Sequence, residues 1–190
     1  MIINCCVLSF LCITALLTPA MTATQSRGDT AALSFEGTRF IHRWSKNAQH
    51  EFTPAGEEDL AKWTAMLTIS VHDGARTGEQ LAELANRVLG NYQQAGKVIR
   101  TDSKPRTETS EAEHFAVALL PNPAFLEAAF ARVLMHEKRA VVVVYSKRFY
   151  GDSARGGMGA WLKKNGAAVE QALMSWIGIP SLARLRALPQ

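Results

Sequence analysis

All three cysteines of this chain, Cys5, Cys6 and Cys12, stand inside an N-terminal stretch that has no charged side chain before Arg27. Everything beyond Cys12 must therefore hold itself together by its core. Disulfides, cysteine-ligated zinc and thiol catalysis are excluded there. Residues 2–17, IINCCVLSFLCITALL, are mostly apolar, and Thr18-Pro19-Ala20 and Met21-Thr22-Ala23 each end on the small residue that a signal peptidase needs. This reads as a secretory signal peptide over residues 1–23, cut after Ala20 or Ala23. An uncleaved anchor is the rival reading, since the uncharged run approaches the roughly 20 residues that span a bilayer. Leu11, directly before Cys12, argues against a lipidated cysteine. The expected location is periplasmic or secreted. Residues 24–32 are small and polar and read as a flexible N-terminus, followed by a single domain over 33–190. At that size a chain buries about two thirds of its unfolded surface, enough for a core without staples.

Charge separates few function classes. The chain carries 21 basic and 17 acidic residues, so 21 − 17 = +4, with both signs mixed along its length. That is no nucleic-acid signature. A weak positive balance steers a chain toward anionic lipid heads or polymers without specifying either.

Periodicity gives the elements. Phe40, His42 and Trp44 alternate with Arg39, Ile41 and Arg43 as a strand does, and Lys46-Asn47-Ala48 supplies a hairpin turn. Glu57, Glu58 and Asp59 read as the opening of a short helical turn toward Trp63. Residues 66–71 form a strand. Thr77 and Gln80 have capping-box spacing, and Leu81, Leu84, Ala85, Val88, Leu89 and Tyr92 make one apolar stripe, so 77–95 is a helix stopped by Gly96. Val98-Ile99 begins a short strand, and TDSKPRTETSEAE, residues 101–113, reads as a mobile surface loop. Phe115–Leu120 is a strand. Segment 125–135 fits a strand or a helix; the hairpin reading, with 140–149 as partner, is adopted because His136-Glu137-Lys138-Arg139 makes a good loop and no helix stop intervenes. Residues 158–177 form a last helix. Strands follow strands, so the expected fold is α+β, a mainly antiparallel sheet packed with two main helices.

The stretch YGDSARGGMGAWLKKNG, residues 150–166, most resembles chemistry, and fails each test of it. A nucleophile elbow needs a glycine two residues after Ser153, where Arg155 stands. A phosphate loop needs Gly-Lys-Ser/Thr, where Gly159-Ala160-Trp161 stands. The expectation is helix entry, with Asp152 or Ser153 as cap and glycines 156, 157 and 159 turning the backbone.

Four residues remain as candidate ligand contacts. Arg148 and Tyr150 share a strand face with Ser146, which reads either as a carboxylate- or phosphate-binding face or as the wet face of a sheet. His42 approaches His50 across a hairpin, too few ligands for zinc. His114 follows an acid, Glu113, and is the general base if a reaction exists, with Ser103 or Ser110 as partner. The tail Leu182–Leu188 docks on the core or meets a membrane or partner through Arg184 and Arg186. No residue pattern implies a cofactor or a metal. The pattern as a whole points to an exported, non-catalytic domain that binds an envelope protein or a small anionic ligand. The alternative is an envelope hydrolase with His114 as base.

Overall fold

The computed structural model describes residues 32–190. The expected signal peptide, and all but the last residue of the expected flexible N-terminus, lie outside them. Ala32 already belongs to the first strand. The order is β1 (Ala32–Phe35), β2 (Thr38–Lys46), β3 (Gln49–Pro54), β4 (Ala65–His72), α1 (Gly78–Ala95), β5 (Lys97–Lys104), β6 (Glu113–Pro121), β7 (Phe125–His136), β8 (Arg139–Tyr150), α2 (Ala154–Ser175) and α3 (Leu182–Arg186). The chain forms a single α+β domain. Its eight strands make one sheet in the order β1-β2-β3-β4-β8-β7-β6-β5, and every neighbouring pair is antiparallel. Helix α1 carries the chain from the middle of the sheet to its far edge.

The sheet is covered on both faces, unequally. On one face Phe35, Phe40, Phe52, Leu67, Ile69 and Phe130 pack with Met158, Val169 and Leu173 of α2 and with Leu182 and Leu185 of α3. On the other, Leu81 and Leu84 of α1 meet Val133, Ala140 and Val142 in a smaller cluster. The run Val141–Val144 explains why β8 lies at the centre: its side chains alternate between the two clusters, and a strand buried on both faces reads as continuously β-branched. Each fully buried Leu or Phe contributes about 1.5–3 kcal/mol, so the larger cluster dominates stability.

Local signals decide the boundaries. The Thr77 capping box forms as its spacing predicts. The hairpins β2–β3 and β7–β8 turn on Asn47-Ala48 and Glu137-Lys138, four residues with positive φ, the mirror-image turn that matches strand twist. The expected helical turn at 57–63 shrinks to a single turn opened by Asp59, whose carbonyl accepts from the Lys62 N–H at 3.0 Å, and Glu57 takes no part in it. There Glu57 folds back, its carboxylate accepting from the Thr64 N–H at 2.7 Å and hydroxyl at 2.6 Å. These bonds, with one from the Ala65 N–H, use the acid that would otherwise sit in a first helical turn.

The entry to α2 is also corrected. Ser153 holds the cap position but makes no side-chain cap bond, and the helix starts at Ala154. Gly151 is the turn residue, with φ of 72°. Glycines 156, 157 and 159 lie inside the helix. Gly157 is there for space: a Cβ on it would stand 2.8 Å from the Phe149 ring.

The two sheet edges differ. On β1 the Ala32 carbonyl accepts from Arg184 at 3.2 Å and the Ser34 carbonyl from the Trp176 indole at 3.0 Å. On β5 the expected loop 101–113 is strand as far as Lys104. Among the described residues, the outer backbone of β5 makes one bond, from the Ser103 N–H to its neighbour Asp102.

Candidate functional site

Helix α2 stacks over β7 and β8, which leaves β6 and β5 projecting beyond it. A groove of about 510 Å³ results between β5 and α2. Its floor and walls are Ile99, Val117, Phe130, Leu162 and Met174, with Gly166 and Ala167 keeping the helix side low. Charged groups form the rim. Arg100 Nε reaches Glu170 of α2 at 2.6 Å. Lys104 Nζ donates to the Met174 carbonyl at 2.7 Å and stands 3.4 Å from Glu113.

One buried cation holds the helix side of this groove in place. Arg132 of β7 is 6% exposed. Its Nε and Nη2 donate to the two oxygens of Glu113, each at 2.9 Å. Its Nη1 donates to the carbonyls of Leu173 and Trp176 at 2.8 and 2.9 Å. The guanidinium thus bonds two carbonyls at the end of α2, that of Trp176 and that of Leu173, which also accepts from the Trp176 N–H at 3.3 Å, where the helix dipole favours a positive charge. Burial pushes the Glu113 carboxyl up, but the hydrogen bonds and charge of Arg132, helped by Lys104, hold it below its usual value.

The structure brings Arg148 and Tyr150 together and engages both. The Arg148 guanidinium lies between the rings of Trp63 and Phe125, 3.7 and 3.9 Å from their centroids, and its Nε donates to Glu127 at 2.8 Å. Tyr150 donates its hydroxyl proton to the Trp63 carbonyl at 2.7 Å. Two aromatic planes and a carboxylate fix the guanidinium plane. Ser146 and Glu127 also line an open, hydroxyl-bearing trough of about 490 Å³ between α1 and the sheet.

His114 pairs with Ser103 across β5 and β6, and the Ser103 hydroxyl lies 3.2 Å from its Nδ1. Both line a cavity of about 230 Å³ beside α1. Directly opposed side chains in an antiparallel pair meet at this range by register alone. No carboxylate bonds the other ring nitrogen among the described residues, so a catalytic triad is not assembled. Ser110, the other serine considered, bonds Thr107 instead.

His42 lies on β2, five strand spacings from His114 in the sheet, or roughly 24 Å. Its Nε2 and the Nδ1 of His50 both meet the buried Ser45 hydroxyl, each at 2.7 Å. A hydroxyl gives one proton and accepts others, so the chain fits neutral rings, and protonating both would leave the Ser45 proton without an acceptor. Burial pushes His42, His50 and His72 below the ordinary 6.5, reinforced by His42 for His50 and by Arg87 for His72. The unfolded chain therefore binds more protons below pH 6.5, and these groups' contribution is fully present above that value and is lost as pH falls. We expect a melting temperature that is flat above pH 7 and declines between pH 6.5 and about 5, before the carboxylates titrate. His50→Asn, whose amide offers either a donor or an acceptor to Ser45 and does not titrate, is expected to make that decline shallower in melts run across the range.

The tail docks inward: Leu182 and Leu185 are buried. Arg184 bonds β1, and Arg186 donates to Asp73 at 2.8 Å. No group of three metal-ligating side chains clusters among the described residues, and none of their helices is long and apolar enough to cross a membrane. The sequence reading missed the groove because it took the β5 edge for loop.

No protein-family model matches the chain, and no curated protein matches its sequence. Among solved structures, the Saccharomyces cerevisiae Ran-binding protein Mog1p is similar at 12% identity over 72% of this chain and 84% of that one, with a TM-score of 0.46. A Pseudomonas aeruginosa protein of unknown function is similar at 12% identity over 79% of this chain and 97% of that one, with a TM-score of 0.45. Likenesses at that level carry no argument about what this chain binds.

Proposed function

We propose that this chain is an exported domain without a reaction of its own, and that it holds an envelope protein by a segment seated between β5 and α2. The groove supports this reading. Its volume of about 510 Å³ lies in the range of pockets that take ligands, and an apolar floor under a rim of a few placed polar groups is the usual make-up of such a site. The rim carries both signs, Arg100 and Lys104 against Asp102 and Glu170, which suits a peptide segment better than a simple anion. A small anionic ligand is supported instead at Arg148, whose Nη nitrogens make no hydrogen bond within the described protein while stacking fixes their plane.

Gly166→Leu is the test. A Cβ there meets only the Leu162 side chain, in ordinary contact at 3.8 Å, so a larger side chain starts without a backbone clash at a residue that lines the groove. Replacing a glycine in a helix interior also gains about 0.5–1 kcal/mol. The variant is expected to melt no lower than the parent and to lose the partner that the parent captures from envelope extract, identified by mass spectrometry. Capture of the same partner at the same yield sinks the groove reading. Retention of residues 1–20 in the intact mass of the secreted protein sinks the export reading.

The hydrolase reading is supported by one observation, the 3.2 Å approach of Ser103 to His114. It requires ester hydrolysis that Ser103→Ala abolishes.

A further inference from the structure

We propose that β5 pairs with β5 of a second copy of this chain about a two-fold axis at Thr101, joining two sheets into one. The inference does not rest on the groove reading. An edge strand offers unpaired N–H and C=O groups to any passing strand, and proteins ordinarily cover, shorten or bend such edges. This fold latches β1, its four-residue edge, with Arg184 and Trp176. It leaves β5, an eight-residue edge, without a cover among the described residues. A bulge between Val98 and Arg100 bends the first part of β5, so the regular template is Arg100–Lys104.

The sequence of that template selects the register. In an antiparallel pair, residues directly opposite point to the same face. A two-fold perpendicular to the sheet keeps the faces together only when it centres on one residue. Centring on Asp102 sets that carboxylate against its own copy and Arg100 against Lys104. Centring on Ser103 runs Thr101 against Pro105, which has no N–H to give. Centring on Thr101 sets Arg100 opposite the other copy's Asp102, twice, with Thr against Thr on the axis. Opposite charges and paired threonines directly across are the favourable combinations. Arg100 and Asp102 already share a face, with Nη2 of Arg100 3.5 Å from Asp102 and both side chains more than half exposed; the Arg100 Nε stays on Glu170 at 2.6 Å, so it is the outer nitrogens that reach a neighbour.

The experiment measures mass against concentration by sedimentation on the secreted protein. The parent is expected to approach twice its monomer mass. Asp102→Arg sets arginine against arginine, and Arg100→Asp sets aspartate against aspartate. Each is expected to weaken self-association about tenfold or more, equivalent to about 1.4 kcal/mol; Asp102→Arg is expected to melt like the parent, and Arg100→Asp slightly below it because it also loses the surface pair with Glu170. Mixed in equal amounts, the two variants are complementary again, and association is expected to return as a heterodimer. A parent that stays monomeric overturns the proposal. So do single variants that associate like the parent, or a mixture that stays apart. Loss of association in Asp102→Arg but not in Arg100→Asp overturns the Thr101 axis. Gly166→Leu leaves the mass unchanged, so failure of the groove reading is seen separately.

Discussion

Arg132→Met is expected to destabilise the domain by about 3–5 kcal/mol, the usual cost of removing one partner from a buried ion pair. Three acceptors lose the guanidinium at once, the Glu113 carboxylate and the carbonyls of Leu173 and Trp176, and what remains is longer: Lys104 at 3.4 Å from Glu113 and the Trp176 N–H at 3.3 Å from the Leu173 carbonyl. Methionine fills much of the volume, so the loss is electrostatic rather than a cavity. Adding Glu113→Leu to the same chain removes the half-buried carboxylate but leaves the Trp176 carbonyl without the guanidinium and the Leu173 carbonyl with the Trp176 N–H alone. The double variant is therefore expected to recover part of the loss and not all of it. Denaturant unfolding of the two variants beside the parent decides this. Full recovery would show that the bonds to the end of α2 contribute nothing. There is a pH signature as well. Glu113 is held below its usual value, so its contribution is present above about 4.5 and is lost as pH falls through its lowered folded value. Arg132→Met removes that loss from the acid limb of the stability curve.

Gly96→Ala is the second large effect, expected to cost about 3 kcal/mol. A Cβ at Gly96 would lie 2.1 Å from the Leu119 carbonyl oxygen and 3.1 Å from the Leu120 Cα. These are backbone atoms of β6, paired on both sides, and cannot step aside as a flexible side chain does. Forcing extra atoms into such a place costs about 1–3 kcal/mol and sometimes more. Gly157→Val is expected to cost less, because its obstacle is the Phe149 ring. Ser153→Ala is expected to cost almost nothing, since that hydroxyl makes no cap bond. Thermal melts of the three variants should rank them in that order.

Gly96 also shows how a residue is legible while its reason is not. As a helix stop it was readable beside Tyr92 and Ala95. A glycine stop is usually a left-handed cap, whereas the φ of Gly96 is −174°, extended backbone that any residue adopts. What requires glycine is a strand that arrives more than twenty residues later. The same division runs through the rest. The β7–β8 hairpin and α1 were readable because their signals are local: loop residues, a capping box, a stripe. Strand β5 was not, because an edge strand with seven of its eight residues exposed has the composition of a loop. Its strand character comes from β6, through pairing that leaves no mark on its own side chains. The groove went unread with it. The face carrying Ser146, Arg148 and Tyr150 was readable as a face. The rings that enclose Arg148 come from Trp63 and Phe125, on other segments, and no spacing announces them.

The latch on β1 has a consequence for the order of events during synthesis. Ser34 and Ala32 are held by Trp176 and Arg184, partners 142 and 152 residues further along the chain. Nothing nearer bonds that outer edge among the described residues. The first strand among the described residues is therefore among the last to be secured, and contacts of such separation are slow to close. A chain still being made has no finished domain to present. That outer edge cannot close until residues 176–184 are free to fold back, and a cut before Trp176 returns β1 to solvent.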